Sequence, residues 1–66
     1  MKNSLKVERA IKNITQEELA REIGVTRQAI NSIELGKYVP STVLALKLSR
    51  FFGKSVNDLF GLEEGD

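Results

Sequence analysis

The spacing of small and aliphatic residues between Gln16 and Leu35 constrains the fold of this chain more than any other feature. The segment runs QEELAREIGVTRQAINSIEL. Ala20 is small where a second helix must cross closely, and Gly24 can adopt the positive φ of a tight turn. Aliphatic residues suited to filling the angle between two helices occupy positions Leu19, Ile23, Val25, Ile30 and Ile33. The pattern predicts two helices joined by a tight turn, a helix-turn-helix.

Capping residues and glycines extend this prediction to the rest of the chain. Thr15 followed three residues later by Glu18 forms a capping box at the start of a helix, and Gly24 ends that helix. The other predicted helix starts are Ser4, Thr26, Ser41 and Ser55, and the other ends are Asn13, Gly36, Gly53 and Gly61. We therefore predict an all-α, compact five-helix bundle in which residues 1–66 form a single domain.

The composition excludes several classes of function. The sequence contains no Cys and no His, which removes disulfides, thiolate nucleophiles, imidazole bases and zinc sites built from nitrogen and sulfur ligands. It also contains no glycine-rich phosphate loop, so we expect neither an enzyme nor a cofactor or metal site. No apolar run is long enough to span a bilayer and the N-terminus is charged, which predicts a cytoplasmic protein without a membrane partner.

The charges are distributed unevenly along the chain. Residues 1–54 contain ten Lys and Arg against five Asp and Glu, a balance of +5, whereas residues 55–66 contain four acidic residues and no basic one. This asymmetry indicates a basic surface suited to nucleic acid and an acidic tail turned away from phosphate.

The polar residues of the third predicted helix, about Arg27 to Leu35, are suited to contact DNA bases. The second helix of a helix-turn-helix lies in the major groove of double-stranded DNA, where Arg27 can donate to guanine and Gln28 or Asn31 can pair with adenine. Ser32 can serve several bases. The alternative interpretation is that these side chains are ordinary solvated residues.

Four residues at the edges of the two helices are candidates for phosphate contacts. Gln16 and Thr26 lie at helix starts, where backbone N–H groups and the positive end of the helix dipole face outwards. Lys37 and Tyr38 follow the third helix and can add an ammonium and a hydroxyl group; the alternative interpretation is an ordinary polar loop.

Two further groups of residues have structural interpretations. Arg9 and Glu34 can form an ion pair between the first and third helices, and the sequence leaves its burial open. The C-terminal segment contains more apolar residues than one helical stripe requires, which predicts a homodimer interface formed by Val56, Leu59, Phe60 and Leu62. A domain this small without disulfides or metal commonly gains stability by association.

The chain resembles the Cro and phage-repressor type of helix-turn-helix regulators, the XRE family, over essentially its whole length. The similar segments are TQEELA, IGVTRQAI, IELGKYVPS and SVNDLF. The resemblance implies a sequence-specific transcriptional regulator, usually a repressor, that binds an inverted repeat as a homodimer. It places Gln16, Thr26 and Lys37 at phosphate and Arg27, Gln28, Asn31 and Ser32 at or near bases.

The chain looks most like minimal stand-alone regulators of the cytolysin-repressor type. That likeness implies pairing of the chain ends as short strands, here Met1–Asn3 with Leu62–Glu64. Glu8 replaces a more usual aliphatic residue, so we expect Val7 to supply that packing instead.

An alternative function is a protein-interaction module, such as an antitoxin that masks a partner protein. The apolar C-terminal segment favours it, and a stoichiometric protein partner would distinguish it from a regulator that binds only DNA.

Overall fold

Five short helices and a pairing of the two chain ends make up the fold, which a computed structural model describes for residues 1–66. In chain order the elements are β1 (Lys2–Asn3), α1 (Leu5–Lys12), α2 (Gln16–Ile23), α3 (Arg27–Glu34), α4 (Thr42–Phe52), α5 (Val56–Leu59) and β2 (Phe60–Gly61). The predicted five-helix bundle is confirmed. No helix in it combines the length and the apolar composition that a bilayer crossing requires.

The predicted caps define most of the helix boundaries. Thr15 and Glu18 form the full capping box, with N–H to oxygen distances of 3.0 Å in both directions. Hydrogen bonding from Thr15 to the Glu18 carboxylate, first from its backbone N–H and then from its side chain, holds the pKa of Glu18 below its ordinary value. Gly24 ends α2 at a φ of 86°, a left-handed conformation that favours glycine.

The start of α1 differs from the prediction. The Ser4 side chain makes no capping bond, and Oδ1 of Asn3 instead accepts a hydrogen bond from the backbone N–H of Leu5 at 3.2 Å. The Ser4 backbone N–H donates a hydrogen bond to the Leu59 carbonyl at 2.9 Å, which connects the start of α1 to the end of α5.

One cluster of 11 buried hydrophobic residues forms the core between the helices. It includes the apolar residues of the helix-turn-helix and the inner stripe of α4, with Leu5, Leu19, Ile30 and Leu48 fully buried. The core thus fixes the angle between α2 and α3 from behind and leaves their polar side chains outside.

The expectation that Val7 packs inwards in place of position 8 is wrong. Val7 is 58% and Ile11 69% exposed, whereas Glu8 is buried. Leu5 and Glu8 lie three residues apart on the same side of the helix, and that side faces the core. The Glu8 carboxylate is compensated there by Lys54, whose Nζ lies 2.9 Å from Oε2.

The predicted strand register is also corrected. The strands are antiparallel, with Lys2 opposite Gly61 and Asn3 opposite Phe60, so the C-terminal partner is Phe60–Gly61 rather than Leu62–Glu64. The reason is that α5 ends after four residues and the chain enters the strand at once.

Candidate nucleic-acid interface

The outer side of α3 presents the polar residues that were predicted to contact bases. Arg27, Gln28 and Asn31 are exposed and Ser32 is half-buried, whereas Ile30 on the opposite side is fully buried. Residues one turn apart share a helix face, so these four side chains form one continuous surface. An α-helix with such a face has the dimensions to enter the major groove of B-form DNA.

The predicted phosphate-contacting residues Thr26, Lys37 and Tyr38 line one shallow depression together with Gln28 and Ser32. The Ser32 carbonyl accepts hydrogen bonds from the backbone N–H groups of Lys37 and Tyr38, at 2.9 and 3.2 Å, and so holds the loop against α3. Thr26 accepts a bond from the Ala29 N–H at its hydroxyl. The loop and the start of α3 therefore form one surface.

Arg9 and Glu34 form a two-point ion pair behind this surface. Nε of Arg9 lies 2.6 Å from Oε2 of Glu34, and Nη2 lies 3.0 Å from Oε1. The guanidinium also donates to the Ile14 carbonyl at 3.0 Å. The side chains are only 14% and 5% exposed, and the hydrogen bond to Glu34 raises the pKa of Arg9.

Gln16 links this ion pair to the base-contacting face. Its side-chain nitrogen Nε2 donates to Oε1 of Glu34 and to Oδ1 of Asn31, both at 3.1 Å. The backbone N–H of Gln16 belongs to the first turn of α2 and has no intrahelical acceptor. The structure thus brings Arg9, Glu34, Gln16 and Asn31 into one hydrogen-bonded chain, which the sequence did not indicate.

The acidic tail is tied to the N-terminus. The amino group of Met1 lies 3.3 Å from a carboxylate oxygen of Glu63 and 3.1 Å from one of Asp66. The hydrogen bond with Asp66 raises the pKa of that amine. No three acidic side chains converge in a way that could hold a metal ion.

The four residues predicted for a dimer interface lie in different environments. Leu59 and Phe60 are 1% and 7% exposed and belong to the core, because α5 and β2 turn these side chains towards α4 and α1. Their side chains therefore have little surface to offer a partner. Val56 is half-buried and Leu62 is 79% exposed, so these two remain available.

An apolar groove lies beside Val56. Thr42 and the buried Phe60 contribute to its lining, which is completed by six further residues, Met1, Val39, Pro40, Ala45, Leu46 and Val56. Val39 is 60% and Leu46 57% exposed, so the groove leaves aliphatic side chains that lie side by side in contact with water. We refer to these six residues as the apolar groove. The sequence signal that the prediction did not use is Val39, an aliphatic residue in the loop directly before Pro40.

Comparisons with known proteins agree with this geometry. A family model described as helix-turn-helix matches residues 5–59. An HTH-type transcriptional regulator of Methanocaldococcus jannaschii is 52% identical over 66 residues, which is the full length of both chains. One of Bacillus subtilis is 48% identical over 64 residues, 97% of each chain. An HTH-type transcriptional activator of Enterococcus faecalis is 40% identical over 53 residues, which cover 80% of this chain and 26% of that protein.

Proposed function

Because the chain belongs to the helix-turn-helix family of Cro and phage-repressor type, a family of DNA-binding transcriptional regulators, we propose that it binds an inverted-repeat operator as a homodimer and represses transcription. The observation that supports this most directly is the polar outer face of α3, which is exposed beside the depression formed by Thr26, Lys37 and Tyr38.

In this proposal α3 lies in the major groove and its side chains select the bases. Arg27 donates to O6 and N7 of guanine, and Gln28 pairs with N6 and N7 of adenine, while Ser32 is close enough to the groove for a single bond. Phosphate oxygens are bound by the backbone N–H groups at the starts of α2 and α3, by the Lys37 ammonium group and by the Tyr38 hydroxyl.

The apolar groove and Leu62 provide the surface for the second copy. A two-fold axis beside this surface would repeat α3 in the partner, and two such helices about 34 Å apart fit successive major grooves. Burying Val39, Leu46 and Leu62 also removes exposed apolar area from water, which favours association at about 25 cal/mol per Å². An occupied operator would then obstruct RNA polymerase.

The first test is selection of bound sequences from a random duplex library by the purified protein at a stated salt concentration. Enrichment of an inverted repeat supports both sequence specificity and the two-fold arrangement. Recovery of DNA without an enriched motif contradicts the proposal and leaves only electrostatic affinity. In that case a stoichiometric protein that co-purifies from the native host would favour the partner-masking alternative.

A second test addresses the dimer. We expect Leu46→Glu to give a monomer in light scattering at tens of micromolar, because a carboxylate in the apolar groove opposes burial. Ile11→Glu is the matched control, since Ile11 is also an exposed aliphatic residue but lies on α1, outside the groove. A monomeric wild-type protein, or equal effects of both substitutions, would contradict the proposed interface.

A further inference from the structure

We propose that the Arg9–Glu34 ion pair determines, through Gln16, which hydrogen-bonding group Asn31 presents to DNA. Because Oδ1 of Asn31 already accepts a bond from Gln16, the free NH₂ group of Asn31 is the group presented to DNA, and it favours the acceptor edge of guanine, O6 and N7, over the mixed edge of adenine. This inference rests on the proposed binding of α3 in the major groove, and it assigns Gln16 as a positioning residue for base specificity.

The first step of the argument concerns the orientation of the Gln16 amide. A guanidinium group can only donate hydrogen bonds, and Arg9 donates to both carboxylate oxygens of Glu34. A carboxylate can only accept, so the end of the Gln16 amide that faces Oε1 of Glu34 must be its NH₂ group. The ion pair thus excludes the flipped orientation of Gln16.

The second step carries this constraint to Asn31. The same NH₂ group of Gln16 lies 3.1 Å from the Asn31 amide and needs an acceptor there. Only Oδ1 of Asn31 can provide it, and the Asn31 NH₂ group remains free on the exposed side of α3. Pairing with adenine requires Oδ1 of Asn31 to accept a second bond, from N6, while it holds Gln16, whereas guanine presents two acceptors side by side and needs only the free donor. The free NH₂ group therefore favours guanine.

The arrangement also changes the expected role of Gln16. Both hydrogens of its amide are used within the domain, one by Glu34 and one by Asn31. No side-chain donor is left for a phosphate oxygen, and phosphate contact at this position falls to the backbone N–H at the start of α2.

The experiment compares the motifs selected from a random duplex library by four forms of the protein. Asn31→Ala identifies the base pair that Asn31 contacts, because the preference at that position is lost. We expect wild type to prefer guanine there by about threefold to tenfold. Gln16→Met keeps the length of the side chain but cannot donate, so Asn31 can turn over and the preference for guanine over adenine should fall towards parity. Asn57→Ala, at an exposed position on α5 outside both the network and the proposed DNA contacts, should leave this position unchanged.

Several results would overturn the inference while leaving the proposed function intact. These are a motif in which Asn31→Ala alters no position, a wild-type preference for adenine, cytosine or thymine at that position, or a Gln16→Met motif identical to that of wild type. If the protein selects no motif, the proposed function itself is contradicted, and so is the inference that rests on it.

A measurement on the free protein tests the network without DNA. In nuclear magnetic resonance spectra, the side-chain amide protons of Gln16 should exchange with solvent several-fold more slowly than those of Gln28, which makes no hydrogen bond within the domain. Equal exchange rates would show that the chain of bonds is absent and would overturn the inference whatever the selected motif.

Discussion

The two ion pairs of α1 compensate a buried charge in different ways. Arg9 faces the helix-turn-helix, where Glu34 receives two bonds from the guanidinium and one from Gln16. Its neighbour Glu8 faces the C-terminal end of α4, where a single ammonium group from Lys54 compensates it. The Glu34 carboxylate therefore accepts three hydrogen bonds, whereas the Glu8 carboxylate has one partner, on a flexible lysine side chain.

The surface formed by α2 and α3 and the surface beside α4 and α5 differ in a similar way. Gln16 on α2 and Asn31 on α3 are ordered by bonds within the domain before any ligand arrives, so these two side chains lose little entropy on binding. Beside α4 and α5, by contrast, aliphatic residues such as Leu46 remain exposed. One surface therefore carries ordered polar groups, whereas the other leaves aliphatic side chains in contact with water.

Removing one partner of the Arg9–Glu34 pair should have the largest effect. Glu34→Leu leaves the guanidinium in a site that is only 14% exposed, and we expect a loss of about 3–5 kcal/mol in the free energy of unfolding. The measurement is urea denaturation. The double variant Arg9→Met with Glu34→Leu should recover most of the loss, because no unpaired charge remains. A single variant that loses less than about 1 kcal/mol would place this pair among ordinary surface ion pairs.

Substitutions in the Glu8–Lys54 pair should change the free energy of unfolding less, and the two partners should differ in their effect. Lys54→Met removes the one donor to a mostly buried carboxylate, and we expect urea denaturation to show a loss of about 1–2 kcal/mol. Glu8→Leu, in contrast, should be neutral or stabilising, because an aliphatic side chain at this core-facing position needs no partner. Equal losses in both variants would mean that the pair itself stabilises the fold and would remove the contrast with Arg9 and Glu34.

On the DNA-binding surface, Lys37→Ala and Gln28→Ala should separate phosphate contact from base selection. Lys37→Ala is expected to weaken binding to all sequences alike and to lower the slope of log affinity against log salt by about one. Gln28→Ala should instead relax the preference at one operator position with the slope unchanged. The measurement is a salt titration of binding to the selected operator and to single-base variants. If both variants lost affinity without any change in base preference, the assignment of the α3 face would be wrong.

Local signals in the sequence predicted most of the fold. The capping box at Thr15, the turn at Gly24 and the aliphatic spacing of α2 and α3 act over a few residues, so their effect can be worked out from the chain alone. The inward face of α1 could not be predicted in this way. Whether Glu8 can be buried depends on Lys54, which lies 46 positions away in the sequence and reaches it only in the folded state.

The candidate site, too, could be predicted from the sequence only in part. The residues on the outer face of α3 follow from helical periodicity, but the orientation of their amides does not. Gln16 and Asn31 are 15 positions apart, and which end of each amide faces the other is decided by Glu34 and, behind it, by Arg9. The sequence therefore indicated which residue types lie on the surface, whereas the group that each one presents required the three-dimensional contacts.

The smallest expected effect belongs to the capping box at the start of α2, and it is a dependence on pH. The bonds from Thr15 lower the pKa of Glu18 in the folded state, so the carboxylate form stabilises the fold above the unfolded pKa of about 4, and this contribution is lost as the pH falls through the lowered folded value. Thermal unfolding of wild type and Glu18→Gln between pH 3 and 7 measures it. We expect wild type to have the higher Tm near neutral pH and the difference to shrink towards pH 3. A constant difference would mean that the charge of Glu18 contributes nothing and that hydrogen bonding alone holds the start of α2.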